Sequence, residues 1–179
     1  MPAFPRFNIA KTPIIDTNLL FEFLVWRFFE EIPEDEAVSA STRPFSFQYL
    51  SSDELRVAFQ WYVSRAKPIE TSPHVIAEIH GLALGSKAHL RAPRLAAFWS
   101  FAKEELAQLG MEEHFVRVAE MDTNHVQVVG PTDTSLLQRA QQSGRTLLTG
   151  DRELRGRCIE HRVKVIDCWD VLACWQESR

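Results

Sequence analysis

Apolar residues along this chain form short runs that alternate with longer segments of helical spacing. Three of the short runs, IID, LLTGD and KVID, end on an aspartate. Short buried strands that are separated by helices are typical of a parallel sheet covered on both faces. The pattern therefore predicts an α/β fold with three layers, in which a central parallel sheet lies between helices.

The segment 17–31 is apolar on nearly every side, which predicts a helix buried on more than one face. Further helices are predicted at residues 52–66, 73–84 and 93–109, after the Gly-Pro pair of GPTDTSLLQRA, and after the GD and ID strand ends. PIETS is predicted as a short strand, and either FVRVAEM (115–121) or VQVV (126–129) as another. Residues 33–47 hold acidic and small polar residues with two prolines, which predicts a surface insert or a mobile lid.

Length and composition favour one globular domain that spans residues 1–179. The chain is 45% hydrophobic and 25% charged, which is enough apolar material for a sizeable core. Its longest apolar stretch, LLFEFLVWRFF, is too short and too charged for a membrane span, and the N-terminus lacks the apolar centre of a signal peptide. We therefore expect a cytoplasmic protein with no membrane association. A net charge of −4 excludes the strongly basic footprint of a dedicated nucleic-acid binder.

The cysteines and histidines give no sign of a thiolate or imidazole metal site. Cys158, Cys168 and Cys174 are an odd set without a CxxC pair, so we expect buried thiols in place of disulfides. No two histidines have the spacing of a helical metal pair. Any metal chemistry here would use oxygen ligands.

Four acidic residues occupy unusual positions. Asp16 and Asp151 each end an apolar strand, Asp133 lies where a helix begins, and Glu78 falls within an apolar stripe. Asp133 and Asp151 could each simply cap the helix that follows, and Glu78 could reach out to water from the edge of its stripe. The carboxyl ends of neighbouring parallel strands meet at one edge of the sheet, however, so all four could converge there. Converging carboxylates repel one another unless a divalent cation holds them.

At this point the chain resembles the PIN-domain nucleases. PIIDTNLL, SPHVIAEI, PTDTSLLQRA and LLTGDREL occur in the order and local settings of that family, across residues 12–171. The resemblance implies a PIN-like α/β/α domain with a metal-dependent ribonuclease activity that uses Mg²⁺ or Mn²⁺. It also implies a set of acidic ligands and two polar supporting residues, which in this sequence are Asp16, Glu78, Asp133 and Asp151, with Asn18 and Thr149.

The resemblance carries expectations about partners as well. Many PIN domains are toxins of toxin–antitoxin pairs, so an antitoxin protein is a further expected partner. This chain departs from the compact toxins in its long insert and in the polar Thr134 and Ser135 after Asp133. The apolar helix 17–31 predicts a homodimer that buries its excess apolar surface, unless the insert covers it. Two basic clusters could contact the RNA backbone or could be ordinary solvated faces, namely Lys87, Arg91 and Arg94, and Arg152 with Arg155.

Two alternatives belong to other functional classes. An aspartyl-phosphate phosphatase of the haloacid dehalogenase type also places an aspartate at a strand end, but it needs a second aspartate two residues later, where this chain has Asn18. A catalytically inactive PIN-like module that binds RNA or a protein would keep the acidic residues as a remnant.

The tripeptide DTN recurs at Asp122, where polar surroundings predict a turn. Asp167 ends the last strand, which the family's strand order places at the sheet edge, so we leave it out of the site.

Overall fold

A computed structural model describes residues 9–31, 46–85, 90 and 93–179 of the chain. Its strands contain two residues each: β1 (Ile14–Ile15), β2 (Glu70–Thr71), β3 (Glu112–Glu113), β4 (Leu147–Leu148) and β5 (Val165–Ile166). They form one sheet in the order β3-β2-β1-β4-β5, and every neighbouring pair is parallel. The predicted parallel sheet is confirmed.

The described residues form seven α-helices around this sheet. They are α1 (Thr17–Glu31), α2 (Asp53–Arg65), α3 (Pro73–Leu84), α4 (Arg94–Gln108), α5 (Thr123–Ser143), α6 (Arg152–Glu160) and α7 (Cys168–Glu177). This arrangement confirms the three-layer α/β/α class. Within the described ranges, no helix has both the length and the apolar character that crossing a membrane requires. The insert predicted at 33–47 lies outside the described residues up to position 45.

Two of the helices begin at a serine that caps them. Ser52 caps α2 by accepting a hydrogen bond from the backbone N–H of Leu55, and Ser72 caps α3 in the same way through Val75. Pro73 occupies the first turn of α3, where its missing N–H costs nothing. The three cysteines are free and buried, as expected.

Helix α1 lies inside the molecule, and this corrects the basis of the predicted dimer. Leu20, Phe21 and Phe23 are each no more than 1% exposed, and Trp26 is 7% exposed. The helix contacts α2, α3 and α4, so its apolar surface is covered within one chain. The expectation that α1 presents an unburied apolar patch is therefore wrong, because three helices surround it rather than one sheet face.

The third predicted strand is also wrong in position. Strand β3 lies at Glu112–Glu113, whereas residues 126–129 belong to α5 and the segment 115–121 includes a short 3-10 turn. An exposed edge strand needs only backbone partners on one side, and the N–H groups of Glu112 and His114 donate to Ile69 and Thr71 at 2.8 and 2.9 Å. No apolar pattern is needed there, so apolar periodicity could not locate it.

Candidate functional site

Asp16 lies at the carboxyl end of β1, the central strand. Its backbone N–H donates to the carbonyl of Leu148 on β4 at 3.0 Å, which continues the parallel pairing of β1 with β4 beyond the strand. The side chain is 2% exposed. Its Oδ1 accepts a hydrogen bond from the backbone N–H of Leu19 at 2.8 Å, so Asp16 caps α1. Its Oδ2 accepts a short hydrogen bond from the hydroxyl of Thr149.

Thr149 connects the ends of the two neighbouring strands. Its hydroxyl donates to Asp16 and accepts a hydrogen bond from the backbone N–H of Asp151 at 3.0 Å. Asp151 caps α6, and its Oδ1 accepts from the N–H groups of Glu153 and Leu154 at 2.7 and 3.0 Å. The capping interpretation is therefore correct for Asp151, but only one of its two carboxylate oxygens has these contacts. The second oxygen takes no part in the cap.

Asp133 enters the site through a break in α5. Gly130 has a φ of +84°, a conformation that L side chains rarely adopt, and Pro131 follows it, so the helix restarts there. The hydroxyl of Thr134 donates to the carbonyl of Gly130 at 2.7 Å. The hydroxyl of Ser135 lies 3.2 Å from that of Ser72 at the start of α3. These two buried hydroxyls explain why polar residues follow Asp133, because they brace the break and join α5 to α3.

Glu78 reaches the site from α3. The residue is exposed, but its Oε2 accepts a hydrogen bond from the hydroxyl of Thr17 at 2.6 Å. Thr17 follows Asp16 directly, so the Glu78 carboxylate lies on the side of α3 that faces the end of β1. Asn18 follows in the first turn of α1 and is partly exposed.

Asp133 and Asp16 are the two carboxyl groups of the site whose ionisation is perturbed. Burial, followed by the negative charges of Asp16, Asp151 and Glu78, raises the pKa of Asp133 from 3.8 to about 7. Burial also raises the pKa of Asp16 to about 6, with a further contribution from Asp151, although its hydrogen bonds to Thr149 and Leu19 oppose the shift. Asp133 therefore lies within electrostatic reach of Asp16, Asp151 and Glu78, the other three acidic residues that the sequence singles out.

No cationic side chain in the described ranges forms an ion pair with any of these four carboxylates. The contrast is with Glu70, a fully buried carboxylate on β2 that forms ion pairs with Arg139, at 3.0 Å, and with Arg145. Positive charge is supplied to Glu70 by the chain itself. At the four-carboxylate cluster it would come from bound protons, which the raised pKa values of Asp16 and Asp133 favour, or from a bound cation.

Glu70 also belongs to a second group that could hold a metal. The donor atoms of Glu70, Glu112 and His114 all lie within 4.8 Å of one another, a spacing that the four-carboxylate cluster does not reach in the described structure. Arg139 nevertheless occupies the same carboxylate, and burial together with that guanidinium lowers the pKa of His114. The Glu70 group has the tighter geometry, and the four-carboxylate cluster has the unbalanced charge.

The basic residues that could contact RNA have different surroundings in the structure. Lys87 and Arg91 lie outside the described residues. Arg94 packs over the rings of Phe28 and Phe29, which lie toward the far end of α1, about 16 Å along the helix axis from the site. Arg155 is bound to Asp167, which caps α7, and approaches Asp170 at 3.6 Å. Arg152 is exposed beside Asp151 and forms no ion pair within the described part of the chain.

Tyr49 is a residue of the site that sequence reasoning missed. Its ring lies against Gly150, where an added Cβ would overlap Tyr49 Cδ1. Burial and the charges of Asp151 and Asp16 raise the pKa of Tyr49 to about 12, so the phenol stays neutral. Its segment is held by Glu22 of α1, whose carboxylate accepts hydrogen bonds from the N–H groups of residues 48, 49 and 50 at 2.8 to 2.9 Å. A glutamate inside an otherwise apolar helix was the available signal.

No protein-family model, curated protein or solved structure matches this chain.

Proposed function

We propose that this protein is a divalent-metal-dependent ribonuclease with a PIN-like domain, which hydrolyses RNA phosphodiester bonds. One observation carries the proposal: Asp16 and Thr149 are hydrogen-bonded at the ends of neighbouring strands, Glu78 reaches Thr17 beside them, and the charges of Asp16, Asp151 and Glu78 act on Asp133. None of the four carboxylates forms an ion pair with a cationic side chain in the described structure. RNA as the substrate comes from the family resemblance rather than from the geometry.

Mg²⁺ or Mn²⁺ suits this ligand set because both ions prefer oxygen donors. Asp16, Glu78, Asp133 and Asp151 would hold the ion directly or through water. Bound there, it would supply an activated water and a positive charge beside the scissile phosphate.

The remaining polar groups of the site position these ligands. Thr149 restricts the rotation of the Asp16 carboxylate and connects it to the backbone of Asp151. Thr17 restricts the Glu78 carboxylate through a single hydrogen bond. Asn18, at the open side of the first turn of α1, would contact the phosphate or a water. Arg152 would contact the RNA backbone, which makes binding sensitive to salt.

Cleavage of a labelled single-stranded RNA by the wild type and by Asp16→Asn tests the proposal. We expect cleavage that needs Mg²⁺ or Mn²⁺, is abolished by chelator and falls by at least about a hundredfold in the variant. Asp122→Asn is the matched control, because Asp122 also caps a helix through a DTN sequence but lies outside the site. Equal cleavage by the wild type and Asp16→Asn would leave the inactive PIN-like module as the better interpretation.

We also propose a role as the toxin of a toxin–antitoxin pair and an antitoxin partner, both of which rest on the family resemblance. A cytoplasmic location, expected from the apolar pattern of the sequence, and a homodimer are further proposals. Since α1 is buried, a dimer would have to form through another surface.

A further inference from the structure

A pocket of about 660 Å³ adjoins the carboxylate site on the side of β5. It lies beyond the carboxyl ends of β4 and β5, between the start of α6 and the start of α7. Its lining includes Asp151 and Arg152 from the start of α6, Tyr49 and Gly150 beside them, and Trp169 from the start of α7. The pocket and the carboxylate site share Asp151, so one extended ligand can occupy both.

Trp169 is the feature of this pocket that packing within the chain leaves unexplained. Its side chain is 63% exposed, so most of its apolar surface contributes no hydrophobic free energy to folding. Its backbone is well anchored: Asp167 accepts hydrogen bonds from the N–H groups of Trp169 and Asp170 at 2.9 Å, and Arg155 binds the same Asp167. An aromatic ring is thus presented to solvent from a braced helix start.

The other walls of the pocket suit a nucleotide. Because Arg155 is already paired with Asp167, it closes the pocket without offering a strong free charge. Arg152, at the edge nearest Asp151, remains as the cation for a phosphate. Glu153 and Asp167 make the pocket unfavourable for a bound anion alone, since both are acidic lining residues. A flat, uncharged ring whose phosphate lies outside the pocket meets all of these conditions.

We propose that this pocket binds one unpaired nucleobase of the RNA strand, which stacks on Trp169 while its phosphate passes Arg152 toward the carboxylate site. The inference rests on the proposed ribonuclease function and adds the requirement for a single strand. Every base has an aromatic face, so stacking of this kind gives affinity with little sequence preference. A base within a duplex is already stacked and could not enter.

Binding without cleavage tests the subsite directly. The Kd of a labelled twelve-nucleotide uridine RNA is measured by fluorescence anisotropy in Mg²⁺, with Asp16→Asn as the background so that the strand survives. We expect Trp169→Ala to weaken binding on the order of 5- to 100-fold and Trp169→Phe to keep most of the affinity. Phe115→Ala is the matched control, because Phe115 is an aromatic residue of similar exposure that follows β3 at the opposite edge of the sheet. It should leave the Kd unchanged.

A second RNA separates stacking from a general effect on the surface. This RNA has the same length, but its ribose units carry no bases. It should bind equally weakly to the Asp16→Asn protein with Trp169 and to the same protein with Trp169→Ala. Equal affinity of Trp169→Ala and its parent for the uridine RNA would overturn the proposal. So would a wild-type dimer that Trp169→Ala converts to a monomer with no change in Kd, since the ring would then serve a protein contact.

The outcome is distinguishable from that of the ribonuclease proposal. Loss of RNA affinity in Trp169→Ala would support the subsite even if the wild type cleaved nothing. Metal-dependent cleavage that Asp16→Asn abolishes, but that Trp169→Ala leaves unchanged in KM and kcat, would sink the subsite alone.

Discussion

Replacing Asp133 with asparagine should stabilise the metal-free protein at neutral and alkaline pH. The pKa of Asp133 is raised from 3.8 to about 7, so its charged form is disfavoured in the folded state relative to the unfolded state. Below its unfolded pKa the side chain is protonated in both states, and no penalty exists. As the pH rises from there to the folded pKa, the unfolded state ionises while the folded state keeps its proton, so stability is lost. Asparagine removes that loss because it has no charge at any pH.

The shift sets the size of the effect. It corresponds to about 4 kcal/mol of unfolding free energy above pH 7, at about 1.4 kcal/mol per pKa unit. Burying an amide also costs free energy, so we expect Asp133→Asn to recover about 1–2 kcal/mol at pH 8. For a chain of this size that gain raises the melting temperature by about 2–8 °C. At pH 4 the carboxyl group is largely protonated in the folded state and little repulsion remains to be relieved, whereas the cost of burying the amide persists, so the variant should melt below the wild type.

Thermal unfolding followed by circular dichroism in chelator, from pH 4 to pH 8, measures this effect. Asp122→Asn controls for the substitution itself, because asparagine caps helices as well as aspartate does and Asp122 lies outside the site. A loss of stability in Asp133→Asn that is the same at every pH would refute the reasoning, since it would mean that the carboxylate makes favourable contacts instead of meeting repulsion.

Other substitutions test the rest of the account. Asp151→Asn should reduce the rise in melting temperature that Mn²⁺ produces, while the cap of α6 survives; an unchanged Mn²⁺ effect would exclude Asp151 as a ligand. Glu22→Gln should cost about 2–4 kcal/mol in urea unfolding, because an amide oxygen cannot serve three backbone donors as a carboxylate does. Gly150→Ala should displace the Tyr49 ring and cost about 1–3 kcal/mol; a neutral result would mean that the ring moves freely. Trp26→Glu should unfold the protein rather than split a dimer, since the indole is buried within one chain, and a folded monomer would contradict this.

The central part of the fold could be predicted from the sequence because it is buried on both faces. Strands β1 and β4 consist of apolar residues that end on an acidic or hydroxyl residue, and both the strands and their end positions follow from that pattern. The edge strand β3 escaped prediction because its two residues are exposed glutamates held only by backbone hydrogen bonds. Periodicity reports burial, and β3 has almost none.

The acidic part of the site could be predicted for the same reason, since a carboxylate among apolar residues is conspicuous. Its supporting contacts could not. Thr17 looks like an ordinary helix-start residue, and only the packing of α3 on α1 shows that its hydroxyl meets Glu78. Tyr49 and Trp169 lie in polar or helix-start surroundings and reach the site through tertiary structure alone. The interior position of α1 also depended on three other helices, so its apolar surface was misread as a partner surface.

The location of bound Mn²⁺ in crystals would show whether the four carboxylates hold a metal ion. Anomalous scattering at the manganese edge distinguishes the two groups of side chains that could hold the ion. We expect a peak at the carboxyl end of β1 and β4, within about 2.5 Å of oxygens from Asp16 and at least one of Asp133 and Asp151. A peak at Glu70, Glu112 and His114 with none beside Asp16 would contradict this expectation. The ion would then bind where the donor atoms lie closest together, and not where the carboxylates lack a cationic partner.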